Sequence, residues 1–520
     1  GSMPKAEFDR LMPTEFWRDV VDRVAAEAPD TLLLAEAFWL LEGYFVRTLG
    51  MHRVYNSAFM HMLRDEDNAG YRRVMKDTLE FDPEILKRYV NFMNNPDERT
   101  AVEQFGKGDK YFGVATLLAT LPGLPMIGHG QFEGFAEKYG MEFRRASIDE
   151  PVDEWLVARH DREIVPLLHR RGDFADVRDF LLYDVMSDGG GVDENVFAYS
   201  NGSGPSRSLV VFHNRYAEAA GWVRDSTPYA VKEADGSKRL VRRSLADGLR
   251  LGDGDDLWLA FREQRSGLEY LRSGRELRER GLHVTLHAYE CQVIWDLREL
   301  RDTSGIWARL AGRLGGAGVA SLEDALRELE LAPVHHAVRG LANDPALDAL
   351  VREGAARPPD RLRDHLERLA DAVLDATGTA GDTTSYVDVA SRRLSLLAER
   401  AGGAGATAPG DGARPPRSER DGAASARPPV TSNPVELVAP AFADPWHRAV
   451  LAGWSIFEPL GRLARGAIVG PTSRAWYDEL RLGPIVAGSL RDRGLDEAQA
   501  WAAADRIRLL LALARPSNAT

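Results

Sequence analysis

From residue 13 to about residue 175 the sequence alternates helical and extended patterns. That alternation narrows the fold more than any other feature. "PTEFWRDVVDRVAAEAP" spaces Phe16, Val20, Val21 and Val24 along one helical face, with Pro13 near its start and Pro29 past its end. "TLLLAEAF" (31–38) reads as a short buried strand and "HRVYNSAF" (52–59) as another. "AGYRRVMKDTLEF" (69–81) and "PEILKRYV" (83–90) are helical in part and lead into "YVNFMNN" (89–95), a strand ending on polar residues. "DKYFGVATLLATLPG" (109–123) reads as an apolar helix, "LPMIGHG" (124–130) as the next strand, and "VDEWLVARHDREIVPLLHRR" (152–171) as a closing helix. Strands alternating with helices imply a parallel sheet. Each strand runs into polar or glycine-rich sequence at its C-terminal end, where parallel α/β sheets carry their active sites.

From about 177 to 300 the texture changes to strands, such as "RDFLLYDV", "RSLVVFHN" and "DLWLAFRE", separated by turn clusters. This predicts an antiparallel β-sandwich, with 282–300 as two strands or one long bent strand. Residues 301–400 are helical in pattern. The Gly-, Ala-, Pro- and Arg-rich stretch 401–433 has almost no large apolar residue and predicts a flexible linker. A last helical region, 434–520, contains the apolar, Arg-dotted "AAADRIRLLLALA", read as a core helix rather than a membrane anchor. The domain reading is therefore 1–176 α/β, 177–300 β-sandwich, 301–400 helical, 401–433 linker and 434–520 helical.

Charge limits the partners. With 66 basic against 79 acidic residues the net charge is −13, which argues against nucleic acid and its need for excess Lys and Arg. One cysteine, Cys291, precludes an intrachain disulfide or a cysteine-built metal site and fits a reducing cytoplasm. No apolar run reaches the roughly 18 residues of a membrane span, and the opening residues, without a basic stretch followed by an apolar core, are not expected to act as a signal peptide. The opening "GSM" is either a cloning remnant before an initiator Met3 or a point inside a longer chain.

Three strand ends carry chemistry. Glu36 interrupts the apolar "LLLAEAF"; Asp97 follows Asn94, Asn95 and Pro96; Gln131, Glu133 and two glycines follow the third. Glu36 and Asp97 are about two βα units apart, which puts both at the same end of neighbouring parallel strands. Paired carboxylates in a sugar-sized cleft are the machinery of glycosidic bond cleavage. One must stay protonated, which apolar and aromatic surroundings promote; Glu36 has Phe38 and Trp39 beside it in sequence. Trp39, Tyr44 and Tyr55 offer faces for sugar rings.

"LLLAEAF", "NNPDE" and "PGLPMIGHGQFEG" resemble the fifth, seventh and eighth strand ends of the α-amylase superfamily of glycoside hydrolases. The resemblance covers about residues 10–300. It implies a partial (β/α)8 barrel, strands five to eight, followed by the β-sandwich and a helical extension. It implies that Glu36 is the general acid/base and that Asp97 holds sugar hydroxyls and stabilises the transition state. "RVYNSAF" would be the sixth strand. Asn95, His129 and Gln131 join Trp39, Tyr44 and Tyr55 as expected substrate contacts.

Two departures matter. Pro96 stands where most members have His before the second carboxylate, a variant similar to that of bacterial maltosyltransferases using maltose 1-phosphate. The family's G-x-R-x-D nucleophile pattern does not precede Glu36; Asp9, Asp19, Asp22 and Asp30 are the upstream candidates, and none sits in that pattern. A retaining mechanism needs a nucleophile about 5 Å from the acid. The adjacent His335 and His336 point apart on a helix and do not read as a metal pair. No metal or other cofactor is expected. The reading is an α-glucan- or maltooligosaccharide-active protein, retaining in hydrolysis or transfer when a complementing barrel half is present. Maltosyl transfer from a sugar phosphate and non-catalytic glucan binding are the alternatives. Four barrel strands leave open edges, so a homo-oligomer or a complementing N-terminal half is expected.

Overall fold

In the computed structural model, which describes residues 3–37, 42–138, 143–353, 360–404, 442 and 444–513, four short strands form a parallel sheet in chain order. They are β1 (Leu34–Ala35), β2 (Arg53–Tyr55), β3 (Tyr89–Phe92) and β4 (Leu124–Met126). Ala35 pairs with Val54, Tyr55 with Val90 and Phe92 with Met126, so the C-terminal ends share one side. A doubly wound sheet would reverse its strand order at a switch point; this one does not, as in one stretch of a (β/α)8 barrel wall.

Two sequence expectations for the strands change. "TLLLAEAF" is not a buried strand: only Leu34 and Ala35 pair, while Leu32 is 57% and Leu34 41% exposed. β1 ends the sheet, and among the described residues no strand pairs with its outer side. The "HRVYNSAF" strand stops at Tyr55, and a helix, Ser57–Asp65, begins at once, burying Phe59, Met60 and Leu63 at helical spacing. The predicted helix over 152–171 is also three short ones, Glu154–Glu163, Val165–His169 and Arg171–Phe174. Pro166 lacks the N–H that would continue the ladder.

Helix Asp109–Thr120 is buried on all sides from Tyr111 onward, between the parallel strands and a second sheet. A Cβ on Gly113 would lie 1.9 Å from Phe212 Cε2, so only glycine permits the helix to approach so closely. The second sheet comprises β5 (Leu181–Ser187), β6 (Val196–Asn201), β7 (Ser208–His213), β8 (Ala219–Ser226), β11 (Leu257–Glu263), β12 (Glu269–Ser273), β13 (Leu282–Leu286) and β14 (Cys291–Arg301). β9 (Tyr229–Lys232) and β10 (Lys238–Val241) form a separate ribbon. The strand order β12-β11-β14-β7-β6-β5-β8-β13 is antiparallel throughout. The sandwich is thus one curled sheet. Its inner face packs Tyr183, Val211, Phe261 and Leu286 together, while Phe197, Tyr199, Phe212 and Val293 on the outer face meet the α/β core. Residues 282–300 form two strands lodged far apart in it, β13 at an edge and β14 inside.

A fully buried Arg72, on helix Asn68–Phe81, ties the α/β part to the sheet. It donates to Asp184, Glu194 and the Val196 carbonyl.

Residues 1–325 form one unit and 326–520 another. The second is helical. Its core includes Leu366, Tyr386, Leu394, Leu460 and Ile507. Helix Glu497–Leu513 turns Ala503, Ala504, Ile507 and Leu511 into that core. His335 is buried with its Nε2 2.8 Å from the Leu480 carbonyl oxygen. Of 401–433, residues 401–404 end the helix Thr383–Ala404 and the rest lie outside the described residues. No helix among the described residues is long and apolar enough to cross a membrane.

Candidate active site

Tyr55 is the last residue of β2, and its neighbours define the site. Burial, then the charges of Glu36 and Asp97, push its phenol above the ordinary range. Glu36 is the first residue beyond β1, and Asp97 lies in the loop after β3. Three consecutive strands of one parallel sheet therefore put two carboxylates within electrostatic reach of one phenol, although Glu36 and Asp97 are far apart in sequence. The Tyr55 ring is held by Phe92, with centroids 5.3 Å apart.

The loop after β3 is shaped from within. Asn95 is buried, and its Oδ1 accepts the N–H groups of both Asp97 and Glu98 at 3.0 Å. This local turn, which asparagine makes readily, presents Asp97 to solvent. The Lys138 ammonium donates to the Asp97 carbonyl oxygen. Below the loop, Asn56 donates to Asn91 at 2.8 Å, satisfying two buried amides between β2 and β3.

A cavity of about 400 Å3 opens on the β3–β4 side of Tyr55. Tyr55, Asn94, Asn95, Ile127, His129 and Lys138 are among its walls. Neither Glu36 nor Asp97 lines it, although Pro96 and Glu98, on either side of Asp97 in sequence, do. Two buried oxygens in the wall, Asn94 Oδ1 and Thr100 Oγ1, have no hydrogen-bond partner among the described residues. Buried polar atoms are rarely left so. Gly128 permits this wall: a Cβ there would lie 2.3 Å from Asn94 Oδ1.

The other expected residues separate. His129 is exposed on the cavity wall, with Phe135 beside its ring. Gln131 is buried behind the loop: its Oε1 accepts the Gly128 N–H at 3.0 Å and its carbonyl oxygen accepts from the Tyr111 hydroxyl at 2.9 Å. Tyr44 is exposed on the short helix Glu42–Arg47 and is not part of the cavity. Trp39 and Phe38 lie outside the described residues. Glu36 itself is exposed, so the described residues do not form the apolar enclosure expected around it. Lys138, Thr100 and the orphaned Asn94 oxygen were not legible as site groups. Only Asn94 had a signal, its place before Asn95 and Asp97.

The upstream acids stay apart. Asp9 pairs with Lys5 at 2.7 Å and Asp22 with Arg18 at 2.6 Å, each along its own helix, and Asp19 and Asp30 are exposed. Among the described residues no group of three His, Cys, Asp or Glu could hold a metal ion.

No protein-family profile matches the chain, and no curated protein matches it in sequence. Solved structures do. An α-amylase from Geobacillus thermoleovorans, complexed with acarbose, is 14% identical with a TM-score of 0.39, over 54% of this chain and 57% of that one. A debranching enzyme from Nostoc punctiforme, soaked with acarbose, is 13% identical with a TM-score of 0.34, over 54% of each chain. A cyclic α-maltosyl-(1→6)-maltose hydrolase from Arthrobacter globiformis is 14% identical with a TM-score of 0.30, over 44% of this chain and 52% of that one. The chain thus spans little more than half the length of each.

Proposed function

We propose that this chain carries the acid/base half of an α-glucan-active site, for retaining hydrolysis or transfer at an α-glucosidic bond. The observation that carries the reading is the convergence of Glu36 and Asp97 on Tyr55 across β1, β2 and β3. Glu36 would protonate the leaving oxygen and later activate water or an acceptor hydroxyl. Asp97, presented by the Asn95 turn, would hold sugar hydroxyls and offset positive charge at the anomeric carbon. The unpartnered oxygens of Asn94 and Thr100 suit hydroxyl donors of a sugar seated beside Tyr55.

A nucleophile is still required, and it would come from further barrel strands laid against β1. The exposed Leu32 and Leu34 beside that edge are the surface such strands would cover. The test is turnover of maltoheptaose by this chain with and without a complementing barrel half, the product anomer being read by NMR. We expect binding by the chain alone and turnover only with the complement. Glu36→Gln should then slow turnover by about 10²- to 10⁴-fold. Turnover indifferent to Glu36→Gln, or no binding of maltoheptaose at all, would sink the proposal. Binding that never becomes turnover with any complement would favour a glucan-binding role instead.

One observation favours a second reading, transfer from a sugar phosphate. Lys138 puts an ammonium group on the cavity wall beside Asp97. Consumption of maltose 1-phosphate without release of free maltose would support it, and Lys138→Met should then raise KM more than it lowers kcat.

A further inference from the structure

A second cavity, about 830 Å3, lies in the curled sheet, away from Tyr55. Its walls come from β11, β12 and β14 on one side and β13 on the other. β12 and β13 are the two ends of the strand order, so this cleft is the seam where the curled sheet does not close on itself. Among the described residues β13 pairs only with β8, and beyond β12 there is a single bridge, Glu269 with Val319.

The charged groups along the seam are used locally, with one exception. Asp109 pairs with Arg159, Arg265 with Glu163 and His283 with Asp188. Glu263 accepts the N–H groups of Arg265 and Ser266, and Glu290 accepts the His287 N–H and the Gln292 amide. His287 faces Glu218 at 3.7 Å. Arg272 alone has no carboxylate within ion-pair distance among the described residues; its Nη1 donates to the Leu271 carbonyl, and Glu276 acts on it only from further away. Its Nε and Nη2 have no acceptor among the described residues.

The guanidinium is also held in place. It is half-buried and lies 5.5 Å from the Tyr270 ring centroid. Tyr270 stacks on Phe261 at 5.5 Å and 14°, and a Cβ on Gly318 would lie 2.6 Å from the Tyr270 ring, so this ring is closely packed in place. A half-buried cation without a counter-charge loses hydration without recovering it. A rigid guanidinium fork in a cleft is the arrangement that binds carboxylates and phosphates through two N–H donors. The volume lies in the range of small-molecule sites and far exceeds what an inorganic ion would fill.

We propose that this seam is a ligand site for a small organic oxyanion of sugar size. Its phosphate or carboxylate pairs with Arg272, and its carbon skeleton lies against Tyr270 and the β13 side chains Leu282 and Val284.

Isothermal titration of the full chain at low ionic strength tests this with glucose 1-phosphate, glucuronate, glucose and inorganic phosphate. The expected result is saturable binding of glucose 1-phosphate or glucuronate, or both, with glucose and inorganic phosphate each weaker. Preference between the first two identifies phosphate or carboxylate as the group recognised. Arg272→Gln should weaken the preferred ligand at least about tenfold. Arg272→Lys, which keeps the charge and the stem, should weaken it less. Glu36→Gln and Asp97→Asn should leave this binding unchanged. Equal binding of glucose, phosphate binding as tightly as its sugar ester, or binding lost with Glu36→Gln instead of Arg272→Gln would each overturn the proposal. If Arg272→Gln melts below the parent, Arg272→Lys and the salt dependence of parent binding decide it: no weakening by either overturns the site.

Discussion

The two flanks of the α/β part are built to different standards. Against the curled sheet, helix Asp109–Thr120 is buried on every side, Gly113 meets Phe212, and Arg72 is sunk among acceptors from β5, β6 and the loop between them. At the β1 flank, two paired residues end the sheet, and helix Phe16–Glu27 buries only Val21 while Phe16 and Trp17 stay exposed. The packed flank has complementary surfaces on this chain. The open flank has a small core, Val21, Ala35, Val46, Met51 and Val54 among its members, and leaves Phe16, Trp17, Leu32 and Leu34 exposed beside it. Glu36 sits on the open flank and Asp97 toward the packed one, so the candidate site straddles the difference.

The largest effect should come from breaking the packed flank at its charge. Arg72→Met leaves Asp184 and Glu194 with Lys76 as the one remaining cation within ion-pair distance among the described residues, and takes from the Val196 carbonyl the Arg72 donor. A loss of about 3–5 kcal/mol is expected from chemical denaturation; a loss under about 1 kcal/mol would show that this flank is no tighter than the other. Next is Gly113→Val, which drives methyl groups into the space of Phe212 and should cost about 2–3 kcal/mol. Gly113→Val paired with Phe212→Ala should cost less than the sum of the two single losses, since the clash is with that ring.

The third prediction concerns the support behind Gln131. His160 is buried, stacks on Phe132 at 4.3 Å and lies 3.1 Å from the Tyr111 hydroxyl. Burial holds its imidazole below the ordinary value of 6.5. The unfolded chain then binds a proton more readily than the folded one. This contribution to stability is present above about pH 6.5 and is lost as pH falls through the depressed value. Melting temperature should drop on acidification through that window, and less steeply for His160→Gln; parallel curves would contradict the assignment. The smallest effect belongs to the open flank. Leu34→Lys should change the stability of this chain by no more than about 0.5 kcal/mol. The same substitution should abolish any association with a complementing half, read by light scattering. A large loss of stability in the isolated chain would mean that β1 is already covered.

Much of the fold was legible because period and punctuation are local. The helix over 69–81 appears as Asn68–Phe81, capped by Asp67 on the Gly70 N–H, and Tyr89–Phe92 and Leu124–Met126 fall inside their predicted strands. The misjudged stretches were apolar runs too short for their period to decide. "HRVYNSAF" passes from strand to helix at Asn56, and "TLLLAEAF" is greasy without being buried. In the candidate site, the acids were legible from their places at strand ends. The roles of their neighbours were not. Asn95 and Gln131 turn their amides inward to hold loops, and nothing local distinguishes such an amide from one that faces a ligand.

By itself the sequence determined the order of helices and strands, the change from parallel to antiparallel architecture near residue 177, and the strand ends that carry Glu36 and Asp97. These follow from residue periodicity, which each segment expresses alone. Only the tertiary structure decided that Tyr55 feels the charge of both acids, that β13 and β14 part to distant places in one sheet, and that Arg272 lines a cleft without a paired carboxylate among the described residues. Burial and charge pairing depend on which distant segments meet, and strand pairing across a sheet settles that after the local pattern has been spent.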